Sequence, residues 1–143
     1  MKSPAPSNSL LILLTTLVAI GPLSTDLYLP ALPTMVRIFA SPPATVQLTL
    51  SLFLAGFACG QLLYGPLSDR FGRRPVMLGG MLIYSLATLG CACAPGIQAL
   101  IALRFVQALG ACAGPVLGRA IVRDVWGATE SARVIAYLGS AMA

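Results

Sequence analysis

Four long apolar runs leave this chain few ways to fold. They cover residues 9–31, 45–66, 75–94 and 97–118, with short gaps between them. A helix rises about 1.5 Å per residue, so about 20 apolar residues cross the hydrocarbon layer of a bilayer. In water, runs this oily would need a polar covering. Soluble domains carry about 25% charged residues; here 57% of residues are apolar and 9% charged, so water is not the main solvent. The expected fold is an all-α, polytopic membrane helix bundle. A fifth apolar run begins near Arg133 and reaches residue 143. Its last ten or so residues rise about 15 Å, roughly half a bilayer core. It is expected as a truncated fifth helix over 134–143, and the chain as the front end of something longer.

Lys2 followed by LLILLTTLVAI also has the outline of a secretory leader. No clear A-x-A cleavage site follows, the apolar stretch continues through LYLPAL, and three more spans come after it. The first run is therefore expected to remain as a span. Orientation follows from the cations. With the N-terminus inside, the inner segments hold Lys2, Arg70, Arg73, Arg74, Arg119, Arg123 and Arg133, and the outer loops hold only Arg37. That asymmetry predicts a cytoplasmic N-terminus. The same distribution argues against nucleic acid as a partner, because the net charge of +5 lies in gaps between spans rather than on one polar face. The short connection around Pro95-Gly96 predicts a tight antiparallel hairpin of spans 3 and 4.

No enzyme chemistry is legible. The chain has no histidine, and Cys59, Cys91, Cys93 and Cys112 all fall inside apolar runs. Cys91 and Cys93 lack the second pair a zinc site needs, so all four read as small packing residues. There is no phosphate-cradling glycine-rich loop with lysine. Neither a metal nor a cofactor is expected, nor an ATP-driven pump.

Two charges, Asp26 and Arg104, fall within spans. Each would cost about 2.5–3.5 kcal/mol at the centre of an isolated helix, so such residues usually face a bundle interior or aqueous cavity. Asp26 lies about 7 Å below the outer end of span 1 and Arg104 about 10 Å below that of span 4, so depth allows them to pair. At 100° per residue, Arg104, Gln107, Gly110, Ala111, Gly114 and Gly118 share one face of span 4. Phe105, Val106, Leu109, Val116 and Leu117 take the opposite face, which suits lipid. The three glycines predict close approach of another helix, while Arg104 and Gln107 predict a cavity wall. Pro22 reads as a kink within span 1, and Pro30 and Pro33 as its end.

Residues 65–75, GPLSDRFGRRP, lie between spans 2 and 3. Arginines there suffice to hold a loop inside, but orientation requires neither Asp69 nor the glycines. The stretch resembles the signature between helices 2 and 3 of the major facilitator superfamily, G-x-L-[SA]-D-R-x-G-R-R. Gly65, Leu67, Ser68, Asp69, Arg70, Gly72, Arg73 and Arg74 carry it without departure. RFVQALGA resembles that superfamily's helix 4 pattern, with Arg104, Gln107 and Gly110 at a spacing relaxed by one. STDLYLPALPTM and RAIVRDVW resemble its Bcr/CflA-type drug-resistance branch.

The resemblance covers essentially the whole chain and implies the first four and part of the fifth helix of a twelve-helix transporter in a bacterial inner membrane. Two six-helix halves would rock about a central site, and small-molecule drugs or metabolites would be exported against protons. Asp26, Arg104 and Gln107 are the candidates for proton coupling and transport. The motif with Gly65, Asp69, Arg70, Gly72, Arg73 and Arg74 would act as a cytoplasmic latch. Its partner helix would come from the missing C-terminal half, and Asp124 and Glu130 are local partners for the arginines. Gly110 to Gly118 also reads G-x-x-x-G-P-x-x-G, the core of the family's antiporter motif. That motif belongs to helix 5, so here it is taken as packing. A major facilitator uptake carrier, or a truncated membrane fragment that does not transport, is the alternative.

Overall fold

The computed structural model describes residues 8–140. Lys2, the end of the expected fifth helix and the side chain of Arg133 lie outside the described residues. Six helices follow one another: α1 (Asn8–Asp26), α2 (Leu32–Ile38), α3 (Pro43–Phe71), α4 (Arg73–Ala92), α5 (Ile97–Ala111) and α6 (Ala113–Ser140). Among the described residues four stretches are long and apolar enough to cross a membrane: Ile12–Ile38, Pro43–Phe71, Arg73–Ala92 and Ile97–Gly127.

Proline and glycine set the boundaries. Proline has no N–H and cannot donate to the carbonyl four residues earlier. Pro30 withholds that donor from Asp26, the last residue of α1; a turn and a 3-10 helix over Leu29–Ala31 then lead into α2. Pro30 and Pro33 open new elements, at positions where a missing N–H costs little. Pro22 lies inside α1. Pro115 withholds a donor from Ala111, where α5 ends and α6 takes over after Cys112. Gly127, with φ 72° and ψ 175°, turns the chain within α6, so span 4 runs on to Gly127 rather than ending near 118.

The pair α5 and early α6 forms the centre, with α3 and α4 packed on α5 and with α1 packed on α6. In lipid no hydrophobic force draws helices together, and small residues let backbones approach. A side chain at Gly110 would strike the backbone of Gly80 and Tyr84 in α4. One at Gly114 would strike the Leu17 carbonyl in α1, and one at Gly118 would come within 2.9 Å of Val18. Gly56 and Gly60 on α3, one turn apart, receive Phe105 and Cys112 in the same way. Sequence reasoning passed over that pair, although its spacing was the available signal.

Two expectations are corrected. Leu117, assigned to the lipid face, is fully buried with Tyr64, Val76, Cys112 and Ala113. Beyond Cys112 the helix packs against α1 on one side and the α3–α4 pair on another, and Leu117 falls within that contact while Val116 stays partly exposed. Of the four free cysteines, Cys112 is buried, while Cys59 and Cys93 are exposed, so packing does not explain them all. The large exposed apolar side chains of α3 and α4, among them Leu62, Leu63, Leu78 and Leu89, form the surface that suits lipid.

Candidate functional site

One helical turn of α5 places Arg104 and Gln107 side by side, and both are buried. The Arg104 Nη1 donates to Gln107 Oε1 at 2.9 Å. The Gln107 amide nitrogen donates to Thr88 Oγ1 at 2.8 Å, and Thr88 donates in turn to the Tyr84 carbonyl at 2.7 Å. This chain of donors holds the Gln107 oxygen towards Arg104. The guanidinium carbon lies 3.4 Å from the Tyr28 ring centre and 5.4 Å from that of Phe53. Ring faces carry partial negative charge and attract a desolvated cation. The Tyr28 hydroxyl, 2.6 Å from Thr49 Oγ1, fixes the ring from its far end.

The expected Asp26–Arg104 pair does not form. The two described ion pairs both involve Arg73. Asp26 is exposed and lines a cavity of about 270 Å³ with Pro22, Thr25, Phe53, Leu54 and Phe57. Arg104 instead lines a cavity of about 380 Å³ with Ser24, Leu27, Tyr28, Tyr84 and Gln107. Because α1 ends at Asp26, the following turn swings Tyr28 onto the guanidinium. Depth agreed; the direction around the helix axis did not. Ser24 and Tyr84 join α1 to α4 beside this cavity, hydroxyl to hydroxyl at 2.7 Å.

The second charged cluster corrects another expectation. Residues 65–71 continue α3 and residues 73–75 begin α4, so GPLSDRFGRRP is a helix end, a turn at Gly72 and a helix start rather than a loop. Gly72 takes φ 91° and ψ 155°, a conformation that is essentially glycine's alone. Arg73 gathers the cluster. It pairs with Asp69 at 2.9 Å and Asp124 at 3.1 Å, and donates to the buried Ser68 hydroxyl. Asp124 on α6 is thereby tied to the α3–α4 turn, while Glu130, the other local candidate, makes no ion pair among the described residues. Arg70 lies 5.4 Å from the Phe71 ring, Arg74 is exposed, and a side chain at Gly65 would meet open space.

Sequence reasoning missed Tyr28, Phe53, Tyr84 and Thr88. Each acts between separate elements of the chain, which periodicity along one helix does not report. Among the described residues no group of histidine, cysteine or acidic side chains could hold a metal.

Apolar helices long enough to cross a bilayer, packed around a buried cation beside an open cavity, define a multi-pass membrane protein. The chain belongs to the Major Facilitator Superfamily, whose family model matches residues 14–143. That is a family of transporters rather than enzymes. The chain is 44% identical over 133 residues to the chloramphenicol resistance protein of Pseudomonas aeruginosa, covering 92% of this chain and 32% of that protein. It is 38% identical over 122 residues to multidrug resistance protein D of Escherichia coli, covering 85% and 31%. A bicyclomycin resistance protein homolog of Haemophilus influenzae is 34% identical over 117 residues, covering 82% and 29%. The chain thus spans about a third of the length of the curated relatives it matches.

Proposed function

We propose that these residues belong to a proton-coupled exporter of drugs or small metabolites in a bacterial inner membrane, with the N-terminus in the cytoplasm. The resistance named in the relatives above supports export as the direction. Arg73 carries the mechanism: at the start of α4 it ties the α3–α4 turn to Asp124 on α6 through part-exposed ion pairs. Exposed pairs are each worth about 1 kcal/mol or less. A contact of that size holds one arrangement of a bundle and still breaks on each cycle. Asp69, Arg70, Arg73 and Arg74 thus form a latch whose further partner comes from the second half of the transporter.

Asp26 is the proton-responsive carboxylate, exposed to its own cavity. Arg104 and Gln107 line the substrate side. The seam of Gly110, Gly114 and Gly118 keeps the helices that carry these groups in contact.

The test is chloramphenicol accumulation in cells lacking their own exporters and expressing the complete transporter. Accumulation should fall on expression and recover when a protonophore collapses the gradient. Asp69→Asn should insert normally and export more slowly. Asp26→Asn should lose the dependence on the gradient. Unchanged accumulation in every arm sinks the proposal.

A further inference from the structure

The surroundings of Arg104 also limit which molecules the cavity beside it takes, an inference that rests on the reading of the protein as a carrier of small solutes. Arg104 is 6% exposed, and its one hydrogen bond among the described residues leaves from Nη1. A guanidinium has five N–H donors. Among the described residues no enclosed side-chain nitrogen or oxygen lacks a hydrogen-bond partner. Nε and Nη2, which have none, are therefore not sealed off, and the space Arg104 lines is the cavity of about 380 Å³. Tyr28 and Phe53 lie over the guanidinium carbon, while Gln107 holds Nη1. What remains is the edge formed by Nε and Nη2, a fork that matches two oxygens of one planar group.

Among the described residues no carboxylate pairs with this charge. Asp26 lies in the other cavity, Asp69 and Asp124 are on Arg73, and Glu130 is exposed beyond Gly127. The rest of the wall is mostly apolar, including Ile20, Leu23, Leu27 and Leu100.

We infer that this cavity binds small amphiphiles through a carboxylate-like end seated on Nε and Nη2 of Arg104, with the apolar body against α1 and α5. It therefore disfavours lipophilic cations. A cation entering the same space would meet like charge in a medium of low dielectric, with no acid of the described residues to offset it.

Two compounds with one ring system and opposite charge test this: 2-naphthoate and 2-naphthylmethylammonium, titrated calorimetrically into the complete transporter in detergent. Naphthoate should bind at least about tenfold more tightly, as a two-point charged contact implies. Arg104→Gln should bring the two within about twofold, and Arg104→Lys should keep the order with a smaller ratio, since lysine is a point charge without the fork. The wild-type ratio alone decides the matter if the variants do not fold.

Equal or tighter binding of the ammonium compound overturns the inference and leaves the exporter reading in place. A structure of the complete chain with another helix's carboxylate on Nε and Nη2 overturns it too. A clear preference for naphthoate, with no gradient-dependent export of any solute, upholds the site and fails the exporter reading.

Discussion

Arg104, 6% exposed within a span, has two aromatic rings and an amide for company, whereas Arg73, at the first position of α4, has two carboxylates. The difference follows from the solvent each meets. A charge deep in a span is costly to desolvate, so it persists only where several fixed groups hold it at once. A charge at a helix end stays hydrated, and each of its ion pairs contributes little. The first arrangement suits a fixed binding surface and the second a contact that changes during a cycle. Their glycines differ as well. Gly110 and Gly114 are needed for space beneath the buried site, and Gly72 for its backbone angle beside the exposed one.

The contrast predicts a graded series of losses in the unfolding free energy of the complete protein in detergent. Gly114→Leu should cost most, about 3 kcal/mol, because its side chain would be driven into the Leu17 carbonyl. A wild-type midpoint would mean that α1 does not press on α6 as described. Tyr28→Leu should cost about 2 kcal/mol, losing the ring face over Arg104 and the hydrogen bond to Thr49. This loss should be insensitive to salt, and a strong salt dependence would erase the distinction between the two arginines.

At the turn, Gly72→Ala should cost about 1.5 kcal/mol through backbone strain alone. The smallest effect belongs to the ion pair. A double-mutant cycle of Arg73→Ala with Asp124→Asn should give a coupling of about 0.5 kcal/mol that fades as salt rises. A salt-independent coupling several times larger would make Arg73 resemble Arg104.

Much of this was legible before any coordinates. The helical period put Arg104, Gln107 and the three glycines on one face, and all of them are buried. Asp124 and Glu130 are both legible as local partners for the arginines of the turn, and of the two Asp124 pairs with Arg73. The same period failed for Leu117, because it describes one helix and not how many neighbours surround it. The turn was expected as a loop because its charges interrupt the apolar pattern. Yet α3 continues through them to Phe71, since a helix leaving the bilayer can remain helical in contact with water. Asp26 and Arg104 were matched by depth alone, and depth fixes only one of the two coordinates of a side chain on a helix.

By itself, then, the sequence determined how many segments can cross a membrane, roughly where each ends, and which few charges must be accommodated among them. Those properties are sums along the chain: apolar transfer energy, proline's missing donor and glycine's permitted angles act residue by residue. Tertiary structure decided which partner each charge found. That choice depends on how each helix is rotated about its axis, and the rotation is set by contacts between residues far apart in sequence. Leu17 against Gly114 and Tyr84 against Gly110 turn the helices so that Arg104 faces Tyr28 and Phe53, and Asp26 faces away.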